Sequence, residues 1–91
     1  MRFTWDEKKR TNNLQDHGLD FVDAQEVFAG LTFTFEDSRF SYSEQRFVTL
    51  GMLNGLVVSV VHTETARDIR VISFRKATRY EQAIYFKQIQ I

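Results

Sequence analysis

Four cations crowd one strand-to-helix junction in IRVISFRKATRYEQAIYF, residues 69–86: Arg70, Arg75, Lys76 and Arg79. Guanidinium groups present paired N–H donors that match phosphate oxygens and neutralise charge building on a pentavalent phosphorus. Strict alternation puts Ile69, Val71, Ser73 and Arg75 on one face of the strand and Arg70, Ile72, Phe74 and Lys76 on the other. Ile72 and Phe74 read as core, so Ser73 and Arg75 point to the open face, while Arg70 at the strand's start reaches past the sheet edge. Arg79 and Tyr80 follow in the first turn of a helix, where free backbone N–H groups and the positive end of the dipole also favour an anion. The corner therefore reads as a phosphate site, with Tyr80 or Tyr85 available to stack on a base. Any one of these arginines alone is an ordinary surface ion. The cluster carries the reading.

Chemistry on RNA also needs a proton acceptor. His62 ends the apolar run LVVSVVH, and a two-residue turn at Asn54-Gly55 would pair Leu53 with Leu56 and set His62 opposite Phe47, at the same end of the sheet as Arg70. A neutral imidazole there suits abstraction of a ribose 2′-hydroxyl proton, although a lone histidine at a strand end also serves structure. His17, before Gly18, reads as a cation at a helix C-terminus. Lys8, Lys9 and Arg10 form a basic run that extends a nucleic-acid surface or is simply a solvated face. With two distant histidines, no HExxH and no CxxC, no metal site or cofactor is expected. No P-loop, nucleophile elbow or dinucleotide fingerprint is present either.

The elements that must position these residues follow from local signals. After a strand-like start at Phe3 to Trp5, Asp6 caps a polar helix through to His17, ended by Gly18. Asp20 caps a second helix, FVDAQEVFA, whose Phe21, Ala24, Val27 and Phe28 form an apolar stripe facing the sheet. LTFTF, residues 31–35, alternates as a strand, and the polar segment from Glu36 to Glu44 is a connecting loop. Arg46 to Leu53 and Leu56 to Thr63 make a hairpin about Asn54-Gly55, because a type I′ turn needs positive φ at both positions. A turn at Thr65 to Asp68, a strand at Ile69 to Phe74 and a capping box of Thr78 with Glu81 complete the order. The expected class is α+β: two N-terminal helices and one C-terminal helix on a mainly antiparallel twisted sheet of four to five strands.

Ninety-one residues without a linker fit one domain, 1–91, whose core comes from nine Phe, three Tyr, one Trp and the Val-rich run. The absence of cysteine fits a reducing cytoplasm, and no apolar run approaches the roughly 20 residues that cross a bilayer, so no membrane is expected. Net charge is zero, yet residues 1–45 hold five Lys/Arg and nine Asp/Glu while residues 46–91 hold seven and three. That asymmetry places a basic surface on a neutral protein, as an anionic partner requires.

Several stretches together resemble the BrnT toxins of bacterial type II toxin-antitoxin systems: FTWDEKK (3–9), Asn13, His17-Gly18, Phe21, Ala24 and Phe28, EQRF leading to Gly51, VVHTE (60–64), and IRVISFRKATRYEQAIY (69–85). The resemblance implies a small ribonuclease of RelE-like architecture held inactive in a hetero-oligomer with a BrnA-like antitoxin. It implies too that operator DNA is bound only through the antitoxin complex. The family's motif positions fall on His62, Arg70, Ser73, Arg75, Lys76, Arg79, Glu81 and Tyr85. Three positions depart from the pattern: Asp16 where a basic residue commonly precedes His-Gly, Ala29 where an acidic residue often follows Phe, and Phe74 where alanine is usual.

The expected chemistry is metal-independent cleavage by the 2′-oxygen, with Arg70, Arg75 and Arg79 neutralising charge and His62, then Glu64 or Tyr80, as the base. Lys9, Ser73, Lys76 and Tyr85 are the expected RNA contacts. The alternative, from a different class, is a non-enzymatic module whose basic corner docks an acidic protein or a nucleic-acid backbone.

Overall fold

One two-residue turn fixes the frame. Asn54 (φ 50°) and Gly55 (φ 81°) both take the left-handed conformation that a two-residue hairpin demands. They join β3 (Phe47–Leu53) to β4 (Leu56–Glu64) with Leu53 opposite Leu56 and Phe47 opposite His62, the register expected from the turn. The computed structural model describes residues 1–39, 41 and 43–90. β2 (Phe33–Glu36) lies antiparallel to β3, β5 (Asp68–Lys76) antiparallel to β4, and β1 (Arg2–Thr4) adds to β5 in parallel, giving a mixed sheet of order β1-β5-β4-β3-β2. The α+β class is as expected, while the parallel edge strand was not foreseen.

Helix ends follow their caps. Asp6 accepts from the N–H groups of Lys8 and Lys9 to open α1 (Glu7–His17), and Gly18 closes it at φ 72°. Asp20 accepts from Val22 N–H ahead of a single 3₁₀ turn, Phe21–Asp23, that runs into α2 (Ala24–Ala29), so the expected second helix is split. The capping box of Thr78 and Glu81 opens α3 (Arg79–Gln88).

Each sheet face has its own core. Phe21, Ala24 and Val27 pack with Leu53, Val58, Val60, Val71 and Phe74 on the face covered by α1 and α2. Ala77 and Tyr85, with Ile84 and Ile89, pack with Val48, Leu50, Val57 and Val61 on the face covered by α3. At about 25 cal/mol per Å² these two layers supply the main folding drive. The β5 edge beyond the reach of β1 is closed by a side chain. Asn13 in α1 donates to the Phe74 and Leu19 carbonyls (2.8 and 2.9 Å) and accepts from the Phe74 N–H (3.0 Å), standing in for a neighbouring strand.

Candidate active site

A β-bulge decides which residues share a face. Val61 pairs with Ser73 and His62 with Val71, so Ile72 is an extra residue on β5 with no counterpart on β4. Upstream of it Ile69 and Val71 are buried; downstream the parity flips, and Phe74 joins Val71 in the α1/α2 core while Ile72 packs on the α3 side. The strict alternation expected from sequence is therefore corrected. Arg70, opposite Thr63, and Arg75, opposite Ser59, share the α3 face with Ser73, and Lys76, opposite Val58, takes the other.

On that face Arg75 meets α3. Its Nη1 and Nη2 donate to the Glu81 carboxylate at 2.8 and 3.0 Å, and Nη1 also donates to the Lys76 carbonyl at 3.1 Å. Glu81 in turn accepts from the Thr78 N–H at 2.9 Å, so one carboxylate ties the end of β5 to the start of α3. Burial pushes the Glu81 carboxyl up, but the bonds from Arg75 and Thr78 outweigh it and leave the group below its ordinary value. Arg79 and Tyr80 follow in the first turn; Tyr80 is 77% exposed. Arg70 pairs with Glu44 and approaches the Thr63 hydroxyl at 3.4 Å. Glu44 comes from the polar loop before β3, a partner nothing in the sequence pattern flagged. A cleft of about 620 Å³ runs across the face from Arg75 over Phe33 and Phe35 to Asp37 and Arg39, walled by Thr78, Tyr80, Glu81 and Ile84.

His62 is not part of this site. It is fully buried on the α1/α2 face, packed between Phe28 (5.1 Å between ring centroids) and Phe47 (5.9 Å). Its Nε2 lies 2.7 Å from the Thr49 hydroxyl, itself 2.7 Å from the Thr34 hydroxyl. Desolvation lowers the imidazole pKa to about 4, partly opposed by a hydrogen bond at the Thr63 backbone. Glu64 stands on the same side, 3.5 Å from the ring Nδ1. The expected meeting of His62 and Glu64 with the arginines fails because β4, like any strand, sends residues 62 and 64 to one face and 61 and 63 to the other.

Tyr85 is corrected too: it is 1% exposed, its hydroxyl donates to the Leu31 carbonyl at 2.9 Å, and no base can reach it. Lys9 is exposed on α1, away from α3, and Ser73 is half-buried between the two arginine positions. Of the three departures, Phe74 is fully buried beneath the corner, whereas Asp16 and Ala29 are exposed. Among the described residues no cluster of three or more carboxylates or imidazoles could hold a metal ion, and no helix is long and apolar enough to cross a membrane.

Residues 5–81 match the family model described as the ribonuclease toxin, BrnT, of type II toxin-antitoxin systems. The chain belongs to the BrnT family. The BrnT ribonuclease toxin of Brucella abortus, solved as a crystal structure, is 32% identical, with a TM-score of 0.68 over 87% of this chain and 99% of that one. No curated protein matches the chain. As a BrnT-family ribonuclease toxin of a type II system, the chain has an antitoxin as its partner class. The family match spans the whole arginine face, from Trp5 before α1 to Glu81 in α3.

Proposed function

We propose that this chain is an endoribonuclease that cuts RNA without a metal ion, the ribose 2′-oxygen attacking its neighbouring phosphate while Arg75, Arg79 and Arg70 neutralise the developing charge. The observation that supports it is the bulge at Ile72, which brings Arg70 and Arg75 to the face from which α3 presents its capped N-terminus. Three donations by Arg75 are taken by Glu81 and Lys76, which leaves two of the five N–H groups of a guanidinium for a phosphate oxygen, with the ion pair intact.

Of the three bases considered, Tyr80 stands on this face, so it is the group assigned to the 2′-proton. Ser73 lies where it can contact the phosphate path. Lys76 and Lys9, on the far face, serve as peripheral contacts to a longer RNA. The products are a 2′,3′-cyclic phosphate and a 5′-hydroxyl. In the same reading the architecture is RelE-like, a BrnA-like antitoxin covers the toxin in a cytoplasmic hetero-oligomer, and that complex binds operator DNA through the antitoxin.

The test is incubation of the purified chain with RNA in excess EDTA, with the new ends identified chemically. Cleavage that persists and leaves cyclic phosphate ends is the expected result. Loss of cleavage on adding chelator, or 3′-hydroxyl ends, removes the mechanism.

A further inference from the structure

Two aromatic side chains on the α3 face are not fully used by the core. Phe33 and Phe35, two apart on the edge strand β2, lie side by side with ring centroids 5.8 Å apart and remain half-buried, forming the floor of the cleft that ends at Arg75. Its wall is the first half of α3, where Tyr80 is largely exposed to solvent. Its far rim is Asp37 to Arg39, where the Arg39 guanidinium is held on the buried Asp37 carboxylate by bonds of 2.8 and 2.9 Å.

We propose that this cleft seats one unpaired nucleobase of the RNA, stacked on the Phe33/Phe35 floor under Tyr80, with the phosphate attached to that nucleotide lying at Arg75. The inference rests on the nuclease reading above and adds to it where the substrate's base goes. Three observations favour this occupant. An aromatic floor is sequence-tolerant because every base has a π-face, and such stacking is worth about 1–3 kcal/mol per base. The volume, about 620 Å³, falls within the roughly 300–1,000 Å³ of small-ligand sites. The two ends of the cleft carry the Arg75 and Arg39 guanidinium groups, which pair the Glu81 and Asp37 carboxylates, while the exposed Glu36 is the remaining acid on the lining. An amphipathic partner helix would instead need apolar anchors at successive turns, whereas the ion pairs Arg75–Glu81 and Asp37–Arg39 line this cleft beside its two Phe rings.

The experiment is a titration of the full chain, isotope-labelled on its aromatic and methyl groups, with adenosine 3′-monophosphate, uridine 3′-monophosphate, ribose 5-phosphate and inorganic phosphate. Both nucleotides are expected to move the Phe33, Phe35, Tyr80 and Ile84 signals, and the two base-free anions to leave them in place. Tyr80→Ala and Phe35→Leu should each weaken nucleotide binding about tenfold without changing the circular dichroism spectrum. Equal binding of nucleotide and ribose 5-phosphate, or nucleotide shifts that map elsewhere, overturns the proposal. So does a cleft whose signals respond to the antitoxin protein and to no nucleotide. RNA cleavage is scored on the same preparation: cutting without nucleotide shifts in the cleft sinks the base seat alone, and nucleotides seated in the cleft without any cutting sink the nuclease reading alone.

Discussion

Arg70 and Arg75 stand five positions apart on β5 and yet project from one face of the sheet, because Ile72 is an extra residue between them while their partners Thr63 and Ser59 on β4 are only four apart. An odd separation on a regular strand sends two side chains to opposite faces; the bulge restores them to one. The site is thus a property of the pairing between β4 and β5, not of β5 alone.

Arg75 is the cation best placed by that pairing, since Glu81 orients it at the mouth of the cleft. Arg75→Ala should lower RNA cleavage by about a hundredfold or more, the usual effect of removing one donor to a developing anion. Antitoxin binding, measured by calorimetry, should change little. If the corner were only a docking surface, the parent would show no cleavage to lose, and the binding of the acidic partner would fall instead.

Glu81 holds both the ion pair and the helix cap, with side chains 27% (Arg75) and 13% (Glu81) exposed. Glu81→Gln keeps an acceptor for the Thr78 N–H but loses the charge, and should cost about 1 kcal/mol in a urea melt; Glu81→Ala, which also loses that acceptor while the Thr78 hydroxyl keeps its bond to the backbone N–H of residue 81, should cost about 2 kcal/mol. Its carboxyl sits below the ordinary value of 4.5, so this stabilisation is present above that pH and disappears as acid takes the pH down through the folded-state value. The parent and Glu81→Gln stabilities should therefore converge in acid; curves that stay parallel would assign the difference to packing.

Much of this frame was legible and some was not, for reasons tied to particular residues. Asn54-Gly55 specified the hairpin and its register down to Phe47 opposite His62, because both positions require positive φ and the signal is local. Asp6, Gly18, Thr78 and Glu81 specified helix ends in the same local way. The bulge was hidden because it depends on two strands at once, although the adjacent pair Val71-Ile72 followed by Phe74 breaks alternation and was a usable hint. The pairing of β1 with β5 and the reach of Glu44 to Arg70 join residues far apart in sequence, and no local preference encodes them. His62 looked chemical because it is titratable at a strand end; its face followed from parity and from the aromatic rings of Phe28 and Phe47.

Asn13 shows how a polar side chain inside a polar helix can be a core residue. Its amide answers the Phe74 N–H and carbonyl on an otherwise open strand edge. Asn13→Ala leaves those two backbone groups without their partner and should destabilise the fold by about 2–3 kcal/mol. Hydrogen exchange at the Phe74 amide is the specific readout, and it should accelerate more than amides in β3; uniform acceleration would mean only a global loss.

Gly51 is needed for closeness rather than for a left-handed turn. A Cβ there would lie 2.6 Å from Val27 Cγ1 and 3.3 Å from Thr32 Cγ2, so α2 could not approach β3 as it does. Gly51→Ala should destabilise by about 1–3 kcal/mol through overpacking, and Gly51→Ala with Val27→Ala should recover part of the loss. Additive losses in the double variant would show that the two sites do not share the contact.

His62 yields the prediction that separates structure from chemistry. Buried between two aromatic rings and bonded to Thr49, it is neutral in the folded chain, with a pKa lowered from 6.5 to about 4. The unfolded chain therefore binds a proton that the folded one refuses between those values, and stability must fall as pH drops from about 6.5 toward 4. The shift corresponds to up to about 3 kcal/mol at 1.36 kcal/mol per unit. His62→Gln removes the titrating group, so its melting temperature should change less over that range than the parent's, even from a lower starting point at neutral pH. Because the ring faces α2 and not the arginines, RNA cleavage per folded molecule should survive the substitution within a few-fold. A loss matching that of Arg75→Ala, in a variant shown to be folded, would return His62 to the chemistry and show that the sheet opens on binding RNA.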